Sequence, residues 1–179
     1  MKICLAVWIS PLALLQLTLA EEAATPALEQ RTQCFTIELK GPVADVTPLF
    51  GPVREVEWAP DWSPHFVYPA QGAQREGVLF TTTDGQGTDQ LWVLTRYEVG
   101  NGRVEYVVLK PGLTAGEIKI SVVPDGTRHS KATIRYRRSA LAPEGNAEVA
   151  KLDAHWAKEQ RIHWETALNN ALAKGGWHD

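Results

Sequence analysis

The hydrophobic positions of this chain follow two different periods, and the C-terminal part shows the period of a helix. Across residues 143–174, a spacing of 3.6 residues per turn predicts one continuous helix, about 45 Å long. Gln160 and His163 interrupt its apolar stripe between Trp156 and Trp164, so the stripe predicts a cavity lining as well as a core. The full stripe comprises Val149, Leu152, Trp156, Gln160, His163, Ala167 and Ala171.

The chain before this helix shows the alternation that is typical of β-strands. Residues 43–50 favour a short helix, and the proline-rich residues 53–69 favour an irregular edge strand. Regular strand patterns, separated by turn-forming Gly, Pro, Asn and Asp residues, cover residues 33–40, 78–82, 90–99, 103–110, 116–123 and 128–141.

The alternation also indicates how these elements pack. Ile118, Ile120 and Val122 alternate with polar residues, so one face of the sheet meets solvent and the other must be covered. Only the C-terminal helix is long enough to cover it. The pattern therefore predicts an α+β fold in which a curved antiparallel sheet of about seven strands wraps around a long C-terminal helix.

The N-terminus has a different composition. Residues 3–19 form an apolar run that follows Lys2 and ends before Glu21, which predicts a secretory signal over residues 1–20. Residues 21–32 are then a flexible lead-in, and residues 33–175 form one domain. The alternative is an uncleaved signal anchor; after removal of the signal we expect no membrane span, and the expected location is secreted or periplasmic.

Charge and cysteine content narrow the function classes. The chain has 179 residues, a net charge of −3 and a pI near 6.0, which argues against a nucleic-acid partner. Cys34 is unpaired once Cys4 leaves with the signal, which excludes an intrachain disulfide and a cysteine-type zinc site. Cys34 points away from the predicted core, where another element shields it or where it forms an intermolecular disulfide.

The arrangement resembles the helix-grip fold of the START-like, or SRPBCC, superfamily of polyketide cyclases and lipid-transfer proteins, in an uncharacterised bacterial branch. The resemblance covers nearly all of the chain after the signal, and it implies a cavity between sheet and helix, used by carriers, cyclases, dehydratases or sensors. The motifs that carry it are Trp58-Ala59-Pro60-Asp61-Trp62, Tyr68-Pro69, Gly77-Val78-Leu79-Phe80, Trp92-Val93-Leu94-Thr95-Arg96-Tyr97, Glu105-Tyr106-Val107, Pro111-Gly112, Ala140-Leu141, Gly145-Asn146 and Trp164-Glu165.

Candidate chemistry concentrates in the expected cavity. His155 and His163 lie about 80° apart on a helix, which does not suit a metal, and we predict no metal and no cofactor. His163 is a candidate proton donor or acceptor, although a satisfied core histidine is the commoner case. An inward Arg96 or Arg138 would match an anionic or carbonyl-bearing ligand. The predicted cavity residues are Trp58, Trp92, Arg96, Tyr106, Tyr136, Trp156, Gln160 and His163.

Three functions are compatible with these features. The first is a carrier or sensor that encloses a small hydrophobic molecule such as a lipid, a polyketide or an aromatic compound. The second is a cyclase, dehydratase or isomerase, in which His163 moves a proton and Tyr106, Tyr136 or Arg96 polarises a carbonyl. The third is a protein-interaction module that uses exposed aromatic rings between Trp58 and Tyr68. The sequence assigns no catalytic residue and no oligomeric state.

Overall fold

The computed structural model describes residues 26–85 and 87–174. The predicted signal at residues 1–20 and Gly175 at the predicted domain end lie outside these residues. Within them, one antiparallel sheet of seven strands has the order β1-β7-β6-β5-β4-β3-β2. The strands are β1 (Gln30–Leu39), β2 (His65–Tyr68), β3 (Leu79–Thr83), β4 (Asp89–Glu98), β5 (Arg103–Lys110), β6 (Thr114–Pro124) and β7 (Ser130–Ala140). The predicted fold class is confirmed.

The first strand starts earlier than its pattern predicted. β1 begins at Gln30, so residues 30–32 belong to the sheet and not to a flexible lead-in. Gln30 pairs with Ser139 of β7, and the Asn146 side chain accepts from the Glu29 amide at 2.9 Å and donates to the Ala27 carbonyl at 2.9 Å. The polar residues of this segment hid the strand because its first residues face solvent.

The connection from β1 to β2 begins with a short helix, as predicted, whereas only His65–Tyr68 of the predicted irregular edge strand over residues 53–69 is a strand. Helix α1 (Val43–Val46) continues into a 3-10 turn (Thr47–Phe50), and a second 3-10 turn covers Glu55–Glu57. Strand β2 forms one edge of the sheet, and its register with β3 shifts between Phe66 and Tyr68. The segment from residue 51 to residue 64 therefore lies outside the sheet, on the side of the core.

The C-terminal helix is not continuous. A 3-10 turn (Pro143–Gly145) and a short helix α2 (Asn146–Ala150) precede a break, and helix α3 (Ala154–Lys174) starts anew. Asp153 caps it, since its Oδ1 accepts from the Trp156 amide at 2.8 Å. The 21 residues of α3 span about 32 Å, and the predicted single helix of about 45 Å is wrong.

The break explains why the predicted buried stripe is also wrong in part. Val149 in α2 and Leu152 in the break are both buried, but the helical phase does not continue across residues 151–153 into α3. In α3 the buried residues are Ala157 and Leu168, with Trp164 packed against the core, whereas His163 is exposed. The centre of the buried face moves from the predicted stripe toward Ala157, Trp164 and Leu168, while Trp156, Ala167 and Ala171 of that stripe still pack against the core.

Helix α3 also protects the free edge of β1. Asn169 accepts from the Lys40 amide at 2.8 Å and donates to the Glu38 carbonyl at 2.9 Å, and Glu165 accepts from the Glu38 amide at 3.2 Å. Side chains of the helix thus satisfy backbone groups that an edge strand otherwise exposes. The helix is fixed both to the face of the sheet and to its edge.

Candidate functional site

A small cavity lies between the sheet and α3, and aromatic rings form most of its wall. Its volume is about 30 Å³, which is enough for one or two water molecules. Each layer of the fold contributes to the lining: Phe50 and Glu55 come from the two 3-10 turns, Trp62 from the loop before β2, Trp92 from β4, Tyr106 from β5, Ile118 and Ile120 from β6, Tyr136 from β7 and Trp164 from α3.

Strand register places the two phenols of the cavity in one row. Tyr106 pairs with Ile118 and Ile118 pairs with Tyr136, so all three side chains point to the same face of the sheet. Two inter-strand spacings separate the tyrosines, or about 10 Å. The sheet therefore supplies two hydroxyl groups, one on each side of Ile118.

Most of the aromatic rings meet edge to face, which encloses the cavity instead of filling it with parallel stacks. The Trp62 and Trp92 ring centroids lie 5.4 Å apart at 78°, and Trp92 meets Tyr106 at 6.0 Å and 90°. Trp164 meets Tyr136 at 6.2 Å and 73°. Rings from the sheet, the helix and the loop before β2 therefore surround the cavity at steep angles to one another.

Glu55 is the one carboxyl group in the lining. Its position in the 3-10 turn is set by backbone hydrogen bonds, in which its amide donates to the Gly51 carbonyl at 3.0 Å and its carbonyl accepts from Ala59 at 2.9 Å. The structure records no hydrogen bond or ion pair for its side chain within residues 26–85 and 87–174. The residue as a whole is half-buried, but apolar side chains enclose its carboxyl and raise the pKa of that group to about 8, because such surroundings disfavour the charged form.

The nearest cation in sequence does not neutralise Glu55. Arg54 makes a two-point ion pair with Glu57, with its Nε and Nη2 at 2.7 and 2.8 Å from the two carboxyl oxygens. No lysine, arginine or histidine lines the cavity. The carboxyl of Glu55 therefore faces the interior without a counter-charge.

The two tyrosines have different capacities to bind a ligand. Burial raises the pKa of both phenols, and the nearby Glu55 carboxyl contributes in the same direction. Tyr106 donates to the Phe50 carbonyl at 2.7 Å, which fixes its hydroxyl group. The structure records no hydrogen bond for the Tyr136 hydroxyl or for the Trp164 indole N–H among the described residues, so these two groups and the Glu55 carboxyl can still bind a ligand.

The structure brings together three of the predicted cavity residues, Trp92, Tyr106 and Tyr136. Two others support the wall from outside: Trp58 packs on Trp164 at 5.0 Å and donates to the Leu49 carbonyl at 2.7 Å, and Trp156 packs on Tyr136 at 4.9 Å.

The remaining three predicted residues do not line this cavity. His163 is exposed and Gln160 is half-buried, because the break before α3 changes the helix phase. Arg96 lies on the outer face of the sheet, where it pairs with Glu105 at 3.3 Å and Glu98 at 3.7 Å. A register shift between Leu94 and Arg96 sets that direction.

Two further residues of the sequence analysis have a defined position. Arg138, whose direction the sequence left open, donates to the Glu148 carbonyl of α2 at 3.2 Å and does not line the cavity. Cys34 points outward as predicted, and within the part of the chain that the structure describes it is exposed and not shielded by another element.

The predicted interaction surface between Trp58 and Tyr68 is not an exposed aromatic patch. Trp58 is buried, and Trp62 and Phe66 pack against the core. Tyr68 is the exception, with 61% of its surface exposed. One exposed ring does not make a continuous apolar surface, so this feature does not favour the interaction-module hypothesis.

Sequence reasoning missed Glu55, Phe50 and the two isoleucines as lining residues, and it interpreted Trp62 and Trp164 mainly as packing residues. Residues 53–69 have no period, so nothing in the pattern could orient the Glu55 side chain. Trp164 was recognisable as an aromatic residue beside the predicted stripe, and only the helix phase excluded it. Among the described residues, no group of His, Cys, Asp and Glu is arranged to hold a metal ion, and no helix is long and apolar enough to cross a membrane.

A second concavity lies on the surface at another end of the sheet. It is an open groove of about 350 Å³ lined by Pro42, Val43, Ala44, Val99, Gly100, Pro124, Gly126, Thr127 and His129. Its residues come mainly from turns, and only His129 carries a titratable side chain. The interior cavity, in which polar groups converge, is therefore the better candidate site.

Comparisons with known proteins agree with this architecture. The chain matches no protein-family model, and no curated protein matches its sequence. Norcoclaurine synthase from Thalictrum flavum, solved in complex with dopamine and hydroxybenzaldehyde, superposes with a TM-score of 0.62 at 11% identity, over 83% of this chain and 90% of that one.

Two other solved structures show the same likeness. A START superfamily protein from Mycobacterium smegmatis has a TM-score of 0.59 at 15% identity, and Ara h 8.0201 has 0.57 at 12%; each match covers 81% of this chain and 99% of the other. Identities this low show the fold alone. The chain has the START-like helix-grip fold, as the sequence motifs predicted.

The buried carboxyl generates a prediction about stability and pH. The folded-state pKa of Glu55 is about 8, above its unfolded value of about 4.5, so the folded state holds a proton that the unfolded state has lost. Stability from this group is fully present below the unfolded pKa and is lost as pH rises to about 8. Between pH 5 and pH 8 we expect the free energy of unfolding to fall by about 3 kcal/mol, measured by urea denaturation.

Glu55→Gln should remove this pH dependence, because the amide does not titrate. Glu76→Gln is the matched control, since Glu76 is exposed in the same irregular region and should leave the slope unchanged. A slope that is the same in the wild type and in Glu55→Gln would contradict the burial of this carboxyl.

Proposed function

We propose that this protein binds a small hydrophobic molecule in the cavity between the sheet and α3, as a carrier or sensor that works outside the cytoplasm. The observation that carries the proposal is the convergence of Glu55, Tyr106 and Tyr136 on an interior otherwise lined by apolar side chains. Ligand sites in proteins are mostly apolar cavities with a few polar groups that orient the ligand. A core that served packing alone would not place an unpaired carboxyl there.

The size of the cavity limits the ligand. Sites for drug-sized molecules measure about 300–1,000 Å³, ten times the 30 Å³ found here, so the proposal favours a small aromatic or aliphatic molecule over a lipid or polyketide. A benzene-sized ligand requires Trp62 and the segment around it to move outward. This segment is the natural one to move, because it lies outside the sheet and contains only short 3-10 turns. Norcoclaurine synthase, which has this fold, holds dopamine and hydroxybenzaldehyde.

Filling the cavity should abolish binding. Ile118 lines the cavity at the centre of β6, and Ile118→Phe adds volume where the ligand would lie, at a cost of about 1–3 kcal/mol in stability. We expect the wild type to bind benzyl alcohol, monitored by tryptophan fluorescence and by the NMR signals of the indole N–H groups. We expect Ile118→Phe to lose this binding at least tenfold.

Val122→Ile is the matched control for this experiment. It adds volume on the same strand and the same buried face, but Val122 does not line the cavity. If both variants bind benzyl alcohol like the wild type, or if solvent extracts of the protein hold no small molecule and no apolar probe binds, the proposed function is wrong.

The location outside the cytoplasm rests on the composition of residues 1–20. The proposal expects cleavage before Glu21, which an intact-mass measurement of protein from the periplasm or medium would detect. A variant with charged residues introduced into the apolar run, Leu14→Asp and Leu15→Asp, should remain in the cytoplasm at full length. Cytoplasmic recovery of the full-length wild type would contradict the location without affecting the binding site.

Acid–base catalysis on a small carbonyl compound is a second candidate, and Glu55 is the observation that favours it. A carboxyl with a pKa of about 8 exchanges protons readily near neutral pH, and the Tyr136 hydroxyl could donate to a carbonyl oxygen. The predicted roles of His163 and Arg96 are not supported, since neither lines the cavity. In this alternative Glu55 is the base that removes a proton next to the carbonyl.

Exchange of carbon-bound hydrogen tests this alternative without knowledge of the substrate. We expect the protein to accelerate deuterium exchange at the α-carbon of phenylacetone in D2O, measured by proton NMR. The rate should rise with pH and level off near 8, as the carboxyl ionises, and Glu55→Gln should abolish it. Exchange no faster than in buffer would eliminate the enzyme hypothesis for this class and leave the carrier hypothesis in place.

A further inference from the structure

The lining of the cavity contains an acidic side chain but no basic one. Nine residues line it: one carboxylic acid, six aromatic residues and two isoleucines, with no cationic side chain. Aromatic rings attract cations electrostatically, and tryptophan does so most strongly. Three of the six rings are indoles, from Trp62, Trp92 and Trp164.

No charged group near Glu55 in the described ranges balances its charge. Arg138, which shares a face of β7 with Tyr136, donates to the Glu148 carbonyl at 3.2 Å and does not line the cavity. Tyr106 of β5 and Tyr136 of β7 face it with hydroxyl groups, and α3 contributes only the Trp164 ring to the lining. In the adjacent turn Arg54 is held by Glu57, and Tyr97 of β4 is bound by Gln74 at 2.8 Å. A buried carboxylate without a partner is unfavourable, which is why the empty site keeps its proton at neutral pH.

A ligand with a positive charge would provide a counter-ion for Glu55 and a cation for the indole rings at the same time. It would be the counter-ion of the carboxylate and would lie among indole rings away from bulk solvent, where cation–π attraction is stronger than at an exposed site. A neutral carbonyl ligand could accept from the protonated acid, the Tyr136 hydroxyl and the Trp164 indole N–H, but it would gain no cation–π attraction from the three indoles. The ring content of the wall therefore favours a cation.

We propose that the cavity binds the protonated nitrogen of a small organic amine, with Glu55 as its counter-ion and the rings of Trp62, Trp92 and Trp164 as the walls around it. This inference rests on the proposed function, because it assigns the polar group of the ligand that the interior binds. A volume of about 30 Å³ suits an ammonium or methylammonium group, and the apolar part of the amine extends toward Trp62.

Binding of the cation should be linked to release of a proton. With a pKa of about 8, the empty site is mostly protonated at pH 7, and only the ionised carboxyl pairs with an ammonium group. The affinity for the amine should therefore rise by about tenfold per pH unit from pH 6 to 7 and level off above 8. The affinity of a neutral ligand of the same shape should not rise over this range.

Benzylamine and benzyl alcohol form the test pair, because they have nearly the same shape and differ in charge. Titration calorimetry at pH 6, 7 and 8, in buffers of different ionisation enthalpy, measures affinity and proton release together. We expect wild type to bind benzylammonium at least tenfold more tightly than benzyl alcohol at pH 8, with release of nearly one proton at pH 7. Methylamine tests the charged group alone.

Glu55→Gln should lower the affinity for benzylammonium by at least about tenfold, the effect of losing one charge-assisted hydrogen bond, and keep the affinity for benzyl alcohol. Glu76→Gln, which removes an exposed charge, should change neither. Thermal unfolding confirms that both variants fold.

The outcomes separate this inference from the function on which it rests. If benzyl alcohol binds as tightly as benzylammonium, or if Glu55→Gln leaves benzylammonium binding unchanged, the amine assignment is wrong and the hydrophobic binding function stands. If neither compound nor any apolar probe binds to the wild type, both are wrong.

Discussion

The structure depends on helix α3 and the irregular segment covering one apolar face of an open sheet. Trp164 of α3 is the residue at which these elements meet. Trp164 contacts rings from β1, β7 and the segment before β2, with centroid distances of 5.9 Å to Phe35, 6.2 Å to Tyr136 and 5.0 Å to Trp58. The small cavity lies among these rings, and Trp164 is part of its wall.

The site occurs where three layers of the fold meet. The sheet contributes hydroxyl groups at a spacing set by strand register, the helix contributes an indole, and the irregular segment contributes a carboxyl. The hydrogen bonds of the 3-10 turn hold Glu55 toward the interior while its neighbours Arg54 and Glu57 neutralise each other outside. A group that is costly to bury is therefore kept in place by local backbone structure. This combination makes a functional role for Glu55 more plausible than a packing role.

The sequence predicted the sheet well and the site only in part, for physical reasons. Alternation of polar and apolar residues determines which side of a strand is buried, so Tyr106 and Tyr136 were placed correctly. The buried face of a helix is harder to predict from sequence than that of a strand, because a break shifts it. Helix α3 starts anew after Asp153, with His163 exposed and Trp164 facing the core. The bulge near Arg96 had the same effect in β4. Glu55 lies in a segment without any period, and its environment is made by strands far away in the chain, which no local pattern encodes.

The central claim is that the Glu55 carboxyl is buried among aromatic rings without a counter-charge, and direct titration of that group tests it. The protein would be labelled with carbon-13 at the glutamate side-chain carboxyl, and the Glu55 signal assigned by its absence in Glu55→Gln. The account predicts that its chemical shift titrates with a midpoint near 8 in the ligand-free protein. A midpoint near 4.5, the ordinary value of a solvated glutamate, would show that the carboxyl is exposed to water and would contradict the account.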